Sequence, residues 1–369
     1  MTTSFKQERD RNQIRRACTH SLTGHHIQTP RQILSALAET TGPDEWSDIY
    51  GSGDLIANFE QEIAQVLGKE AAVFMPSGTM CQQIALRIWA ERRQISSVAF
   101  HPTCHLEVHE EKGYQRLHHL EGICVGEPHR LMTLQDLQAL REPVGALLLE
   151  LPQREIGGQL PAWEELTAII DWARERKIAT HLDGARLWEC QPFYGRNYAE
   201  IASLFDTVYV SFYKILGGIS GAMLAGPADV IAQARVWQRR HGGNLYQLFP
   251  YVLSARKGFA ERIGRIESYH ARAKAIASIL APFPQIELIP NPPQTNMMHM
   301  YLRGDAKVLA EATLDVAEET KTWLFGSIQS TELPSYSKVE LTIGDASLDL
   351  PIEEVASLFT LLFNKAKMD

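Results

Sequence analysis

An aspartate and a lysine stand at the ends of strand-like runs in a chain whose apolar pattern alternates between helix and strand. Asp183 lies in residues 181–186 (HLDGAR), and Lys214 closes the β-branched and aromatic run of residues 208–213. In open α/β sheets, ligands bind in the crevice outside the carboxyl ends of the strands. We therefore expect the two side chains to face one crevice.

The chemistry available to this pair suits an aldehyde cofactor that has a pyridine ring. A lysine at the end of a buried strand loses hydration, so its amine becomes a usable nucleophile for a Schiff base. Asp183 could hold a pyridine nitrogen protonated through a charge-assisted hydrogen bond. Arg186 offers a planar fork for a carboxylate or a phosphate. The alternative is an ordinary strand-end aspartate and a surface lysine beside a flexible turn at residues 217–218.

A phosphate site is predicted where residues 76–79 (PSGT) lead into a helix from Met80 to Arg93. Free backbone N–H groups and the positive end of the helix dipole attract an anion at such a position. Ser77, Gly78 and Thr79 are the candidate residues. The alternative is a plain helix start that the hydroxyl of Ser77 or Thr79 caps.

Two histidines, His105 and His109, follow a strand predicted at residues 97–100. A helix would place both rings on one face, which raises a metal site and a metal-dependent hydrolase as alternatives. The order differs from HExxH, and no obvious third ligand accompanies the pair. His105 could instead stack on a cofactor ring or exchange a proton with a substrate. A structural role remains an alternative for both histidines and for His101.

Arg154 follows a predicted strand at residues 145–150 that is apolar almost throughout, as a parallel strand covered on both faces should be. The end of this strand also lies on the crevice side of the sheet. Arg154 is therefore a candidate anchor for a substrate anion. A salt bridge to Glu155 at the rim of the crevice is the alternative.

Composition argues against several classes of protein. The chain has 369 residues, a net charge of −8 and no long basic run, which argues against a nucleic-acid or anionic-membrane partner. Residues 1–16 are polar and charged, and no apolar run is long enough to span a membrane. Five cysteines are scattered without CxxC spacing, which favours free thiols and a cytoplasmic location.

The order of predicted elements indicates an α/β protein with a mostly parallel sheet in a large domain and a smaller α+β domain. Residues 1–49 are expected to form an N-terminal arm that packs on the small domain or on a partner subunit. Residues 50–260 are expected to form the large domain, and residues 261–369 the small one. Predicted elements include a helix at residues 6–16, a strand at 118–125 and a long helical tract at 245–280.

Together, these motifs resemble the threonine aldolase and β-eliminating lyase family of fold-type-I enzymes, which depend on pyridoxal 5′-phosphate (PLP). The likeness covers most of the chain from Tyr50 onwards, and several of its motifs are specific in combination. The matching segments are residues 50–51, 68–72, 76–80, 104–105, 157–158, 181–186, 211–214 and 295–297.

The resemblance implies a fold like that of aspartate aminotransferase and a homodimer or homotetramer with active sites at subunit contacts. It implies that Lys214 forms the Schiff base with the cofactor and that Asp183 meets the pyridine nitrogen. It also implies that His105 stacks on the ring and that Arg186 lies near the substrate carboxylate. The residues expected to contact the cofactor are Ser77, Gly78, Thr79, His105, Asp183, Arg186, Ser211 and Lys214.

Three positions depart from the family pattern. Gln153 stands where aldolases carry a histidine associated with the substrate hydroxyl, and Tyr246 stands where an arginine helps to hold the cofactor phosphate. Glu340 matches an arginine that clamps the substrate carboxylate. A glutamate there would repel a carboxylate, so either Arg154 has taken the role or the substrate is not a simple β-hydroxy amino acid.

The leading expectation is a PLP-dependent lyase of the threonine aldolase type. It would cleave the Cα–Cβ bond of a β-hydroxy-α-amino acid to an aldehyde and glycine or a related amino acid, with His105 as the remaining candidate base. One alternative keeps the cofactor but performs β-elimination or transamination of another amino acid. Two others are the metal-dependent hydrolase and a cofactor-free binding protein. The expected catalytic residues are Lys214, His105 and Asp183, and the expected substrate-binding residues are Arg186, Arg154 and Gln153.

Overall fold

A computed structural model describes residues 9–368 and divides the chain into two compact units. The larger unit is Thr29–Glu267, and the smaller one combines residues up to Gln28 with those from Ser268 onwards. The division at Gln28 falls inside the predicted arm of residues 1–49. The second division follows Glu267, a few residues beyond the predicted domain boundary at residue 260.

The larger unit is built on a seven-stranded sheet. From one edge to the other, its strands are Ala71–Met75 (β1), Ala222–Gly226 (β7), Thr207–Ser211 (β6), Ala179–Gly184 (β5), Ala146–Glu150 (β4), Ser97–Phe100 (β2) and Glu121–Cys124 (β3). Strand β7 is antiparallel to both of its neighbours, and the other neighbouring pairs are parallel. This confirms the predicted α/β class with a mostly parallel sheet.

Helices cover the sheet of the larger unit, and several begin with a side-chain cap. At Pro30–Thr40, for example, Thr29 and Gln32 form a capping box and Pro30 occupies the first helical position. The helices are Pro30–Thr40, Asp54–Val66, Gly78–Arg93, His105–Val108, Gly113–His118, Leu134–Gln138, Trp163–Glu175, Gln191–Tyr194, Tyr198–Ser203, Ala228–Arg240 and Phe249–Arg262, with 3₁₀ turns at Arg154–Ile156, Leu187–Glu189 and Ile263–Arg265.

One core cluster fixes the helix Gly78–Arg93 against the sheet. Its apolar residues include Ile84 and Ile88 of this helix, Leu224 of β7 and Ile231 of the helix Ala228–Arg240, all buried. Burying a side chain of this size stabilises the fold by about 1.5–3 kcal/mol. The start of the helix Gly78–Arg93 is thereby held against Tyr209 of β6, which belongs to the same cluster.

The smaller unit contains a four-stranded antiparallel sheet and a short parallel pair, His20–Ser21 with Thr322–Trp323. The order of the four strands is Gln329–Ser330, Tyr336–Thr342, Met297–Arg303 and Ile286–Ile289. Its helices are Arg11–Ala17, Ala306–Thr320, Asp345–Asp349, Glu354–Lys365 and most of Ile266–Leu280.

Three predicted elements need correction. The strand predicted at residues 118–125 is wrong at its start, because His118 ends a helix and His119 takes a left-handed conformation before β3. The predicted tract 245–280 begins only at Phe249 and is interrupted by the 3₁₀ turn at 263–265. The predicted helix 6–16 begins at Arg11, where the Asp10 carboxylate caps it, and its residues 6–8 lie outside the described part of the chain.

Candidate active site

Three polar side chains lie in a row across the ends of neighbouring strands. Glu150 of β4 is paired in register with Asp183 of β5, and Asp183 is paired with Tyr209 of β6. Because side chains alternate between the faces of a sheet, residues paired in this way lie on the same face. Two carboxyl groups and a phenol therefore form one row, in which Asp183 and Tyr209 are buried and Glu150 is partly buried.

Asp183 lies inside the crevice end of β5, and its side chain is almost completely buried. Its Oδ1 atom accepts a hydrogen bond from the Ala185 N–H at 3.1 Å. Burial raises the pKa of Asp183, while the positive charge of Lys214 acts in the opposite direction. The aspartate and lysine singled out in the sequence are thus close enough to affect each other.

Lys214 follows the end of β6 by three residues and is largely buried. Burial lowers the pKa of Lys214, and the positive charge of Arg186 lowers it further. The negative charges of Asp183, Glu150 and Glu189 oppose this shift. A lowered pKa increases the share of neutral amine, which is the form that attacks an aldehyde.

Glu150 is a site residue that sequence reasoning missed. Burial raises its pKa to about 7, and the negative charge of Asp183 adds to the shift. Its two oxygens accept backbone N–H groups, Oε2 from His105 and Oε1 from Arg154, each at 3.1 Å. The available signal was a single acid at the end of the apolar run 145–150.

His105 begins a short helix, and its Nδ1 atom lies 3.0 Å from Oε1 of Glu110. That hydrogen bond raises the pKa of His105, whereas burial acts to lower it. Sequence reasoning missed Glu110, because neither its spacing from His105 along the chain nor the neighbouring Glu111 marks it as special.

His109 has its own carboxylate partner, since its Nε2 atom lies 2.8 Å from Oε1 of Glu155. The His105 and His109 rings are 5.1 Å apart. Residues 9–368 contain no group of three or more histidine, cysteine, aspartate or glutamate side chains arranged to hold a metal ion. His101 is buried, with Nε2 at 3.0 and 2.8 Å from the carbonyl oxygens of Glu127 and Arg130.

The helix of the predicted phosphate site begins at Gly78, with Ser77 as the residue before it and Thr79 in its first turn. The Ser77 side chain makes no capping hydrogen bond, in contrast to the plain capped start. A Cβ atom on Gly78 would lie only 1.9 Å from the hydroxyl oxygen of Tyr209. That hydroxyl is 3.2 Å from the hydroxyl of Tyr213, so two phenols stand beside the helix start.

Arg186 and Ser211 are also brought into the buried region around β5 and β6. The Arg186 NH1 atom is 3.4 Å from Oε1 of Glu189, and 11% of the Arg186 side chain is exposed. The Ser211 hydroxyl donates to the carbonyl oxygen of Ala185 at 2.6 Å. Both residues therefore fasten the segment that follows Asp183.

Gln153 and Arg154 occupy the turn after β4 but have different surroundings. Gln153 is buried, with Nε2 at 3.4 Å from Oε2 of Glu150 and 3.5 Å from the Thr103 hydroxyl. The Arg154 guanidinium is partly exposed and lies 3.2 Å from Oε1 of Glu155. The salt bridge considered as the alternative for Arg154 is therefore present.

Tyr246 and Glu340, the other two residues that differ from those the family resemblance implies, lie in different units. Tyr246 is exposed in the larger unit and makes an edge contact with Tyr50, with ring centroids 5.4 Å apart. Glu340 lies on the strand Tyr336–Thr342 of the smaller unit, where it is paired with His299 of the neighbouring strand.

Comparison with known proteins gives a consistent result. The beta-eliminating lyase family model matches residues 31–304. A solved Listeria monocytogenes protein, provisionally named an L-allo-threonine aldolase, superposes with a TM-score of 0.91 at 41% identity, over 96% of this chain and 99% of its own. An Exiguobacterium protein, provisionally named an aromatic amino acid beta-eliminating lyase/threonine aldolase, gives a TM-score of 0.91 at 42% identity, over 96% and 100% of the two chains. Low-specificity L-threonine aldolase 1 of Arabidopsis thaliana is 27% identical over 282 residues, which are 74% of this chain and 78% of the relative.

The chain belongs to the beta-eliminating lyase family, and it is a PLP-dependent lyase. The residues present fit that cofactor. A buried amine, a buried carboxyl group on the neighbouring strand and a helix start without a side-chain cap lie in one unit. The predicted family, enzyme class and cofactor are thereby confirmed.

Proposed function

We propose that this chain cleaves the Cα–Cβ bond of a β-hydroxy-α-amino acid and releases an aldehyde together with glycine or a related amino acid. The observation that carries the proposal is that Lys214, three residues after β6, and the buried carboxyl group of Asp183, at the end of β5, lie at the ends of neighbouring parallel strands. Bound PLP supplies an acceptor for the electron pair that remains on Cα after the bond breaks.

Each residue has a specific role in this proposal. Lys214 holds the cofactor aldehyde, and Asp183 keeps the proton on the pyridine nitrogen. His105 accepts the proton of the substrate hydroxyl as the aldehyde forms. The N–H groups of the Gly78 helix start bind the phosphate, assisted by Ser77 and Thr79. Arg186 and Ser211 complete the cofactor contacts, and Arg186, Gln153 and Arg154 are proposed to contact the substrate.

The direct test is incubation of the PLP-loaded protein with threonine, allo-threonine and phenylserine, followed by detection of aldehyde and glycine. We expect release of both products in equal amounts from at least one substrate, and a loss of activity of about two orders of magnitude in His105→Asn. Silence on all three substrates from a protein that binds PLP would contradict the retro-aldol proposal.

β-Elimination or transamination of another amino acid is the second candidate. Gln153 favours it, because an amide beside Glu150 cannot take up the proton of a hydroxyl group as the family histidine would. Glu340, which the resemblance matches to a carboxylate-binding arginine, favours it as well, because its carboxylate could meet an extra basic or polar group on another amino acid. The same incubations distinguish the candidates, since elimination from threonine or phenylserine yields ammonia and a 2-oxo acid, and transamination yields a 2-oxo acid while the amino group stays on the cofactor.

A homodimer or homotetramer is proposed as the assembly. Large apolar and aromatic side chains are exposed on the larger unit, among them Trp46 at 86%, Ile49, Tyr50 and Tyr246. Exposed apolar surface of this kind is typical of an interface.

A cytoplasmic location also stays a prediction, supported by five cysteines that are all unpaired thiols. Among the described residues, no helix is long and apolar enough to cross a membrane.

A further inference from the structure

We propose that Glu110 is the positioning residue of His105, which keeps the imidazole proton on Nδ1 and leaves Nε2 as the atom that accepts a proton. The role of Nε2 as a base rests on the proposed function. The tautomer and the basicity of the His105 ring are independent of the proposed function, because they follow from contacts within this chain.

The contacts of the Glu110 carboxyl group carry the proposal. Its side chain is fully buried, and its Oε1 atom lies 3.0 Å from Nδ1 of His105. The amide groups of Gln82 and Gln83 donate to its two oxygens at 3.1 and 3.2 Å. A carboxylate can only accept hydrogen bonds, so the imidazole must present Nδ1–H to it.

The backbone after Glu110 is shaped to bring this carboxyl group inwards. Glu111 and Lys112 both adopt left-handed conformations, with φ values of 50° and 54°, which residues other than glycine seldom adopt. Gly113 follows, and a Cβ atom there would lie 2.4 Å from Nε2 of Gln83. The turn therefore holds unfavourable conformations, and its glycine leaves room for the amide that contacts Glu110.

The orientation of the Gln82 side-chain amide also supports a hydrogen-bond-accepting carboxylate at Glu110. Within residues 9–368, its Oε1 atom is buried without a hydrogen-bond partner, while its NH₂ group donates to Glu110. Leaving a buried carbonyl oxygen unsatisfied costs about 1–3 kcal/mol. The opposite orientation would place that oxygen against the carboxylate, so donation to Glu110 decides the orientation.

Several charged groups act on His105, and their effects differ in sign. The Glu110 hydrogen bond raises the pKa of His105 most strongly, and the negative charge of Asp183 adds to it. Burial and the positive charge of Lys214 lower that pKa. His109 faces the ring at 5.1 Å, and Glu150 accepts the backbone N–H of His105. Glu110 therefore increases the basicity of a ring that keeps 31% of its side chain exposed.

The test is NMR of the cofactor-free protein labelled with ¹⁵N and ¹³C in histidine, with the His105 signals assigned through His105→Gln. We expect neutral His105 to carry its proton on Nδ1. In Glu110→Gln, we expect the pKa of His105 to fall by about one unit, because a charge-assisted hydrogen bond becomes a neutral one. The acid limb of kcat/KM should move by the same amount in the PLP-loaded enzyme.

Glu155→Gln is the matched control, because Glu155 contacts His109 as Glu110 contacts His105. It should leave the tautomer of His105 unchanged and its pKa within about 0.3 unit. The proposal is overturned by a proton on Nε2 in the wild-type protein, or by an unchanged His105 pKa in folded Glu110→Gln. The tautomer is read in the wild-type chain, so a variant that fails to fold does not block the test. Absence of lyase activity would defeat the proposed function and leave these NMR results standing.

Discussion

At the scale of single residues, the unusual feature is a pair of acids, Glu150 and Asp183, on neighbouring strands. Burial raises the pKa of both side chains, and Asp183 raises the pKa of Glu150 further. Like charges in one buried site disfavour double ionisation. The positive charge of Lys214 offsets part of the cost, and a protonated pyridine ring would offset more.

This arrangement predicts that Glu150 destabilises the cofactor-free fold at neutral pH. Its folded pKa of about 7 lies above the ordinary value of 4.5. Between these values the folded chain retains a proton that the unfolded chain releases, so the free energy of unfolding falls as pH rises through this window. Glu150→Gln has no carboxyl group at this position, so the variant should not lose this stability as pH rises.

Urea unfolding of both proteins at pH 5 and pH 8 measures the effect. We compare the free energy of unfolding of Glu150→Gln with that of the wild type at each pH. Between pH 5 and pH 8, this difference should shift by about 1–3 kcal/mol in favour of the variant. The substitution also replaces hydrogen bonds of Glu150. Their effect on the free energy of unfolding is the same at both pH values, so it cancels in this comparison. The exposed Glu142→Gln serves as control. Equal pH dependence in Glu150→Gln and wild type would show that Glu150 has no raised pKa.

The sequence predicted some site residues and could not predict others, for physical reasons. Lys214 and Asp183 follow apolar strands, so their position at the crevice follows from the strand pattern. Glu110 depends on two left-handed residues and a glycine after it, and no periodicity encodes that turn. Tyr209 reads as an ordinary strand aromatic, and only the packing of the helix Gly78–Arg93 places its hydroxyl beside Gly78.

At the scale of elements, the start of the helix Gly78–Arg93 is the most constrained part of the site. Its first residue has no room for a side chain, because the Tyr209 hydroxyl occupies the space where Cβ would lie. The first N–H groups of a helix have no intrahelical acceptor, so they are available to an anion.

Gly78→Ala should therefore weaken PLP binding at least tenfold and lower the free energy of unfolding by about 1–3 kcal/mol through overpacking. Fluorescence titration with PLP and urea unfolding measure the two effects. Gly264→Ala is the control, because no atom lies within 4 Å of a Cβ atom at that glycine. Equal behaviour of the two variants would exclude a special role for the space at Gly78.

The strands themselves were largely predictable, since β-branched and apolar runs gave β2, β4 and β6 to within a few residues. The wrong element boundaries fall where the local backbone conformation differs from the one that the apolar pattern of the sequence indicates. Residues 118–125 are apolar enough for a strand, yet His118 completes a helix and the left-handed His119 ends it. The 3₁₀ turn at 263–265 carries no proline that would mark it in the sequence.

At the scale of the whole molecule, the residues proposed to hold PLP all belong to the larger unit, Thr29–Glu267. Glu340, which the resemblance matches to the family's carboxylate-binding arginine, belongs to the smaller unit. The family and cofactor could be predicted from motifs within the larger unit. The substrate could not, because Gln153 and Glu340, two positions proposed to bear on its recognition, differ from the residues that the family resemblance implies there.

The most direct test of the central claim is the visible spectrum of the protein after PLP is added, before and after borohydride. We predict an absorption band that borohydride removes and a reduced cofactor attached to the peptide that contains Lys214. Lys214→Ala should lose both signals, and the exposed Lys274→Ala should keep both. A wild-type protein that stays colourless with PLP, or a band and covalent label that persist in Lys214→Ala, would contradict the account.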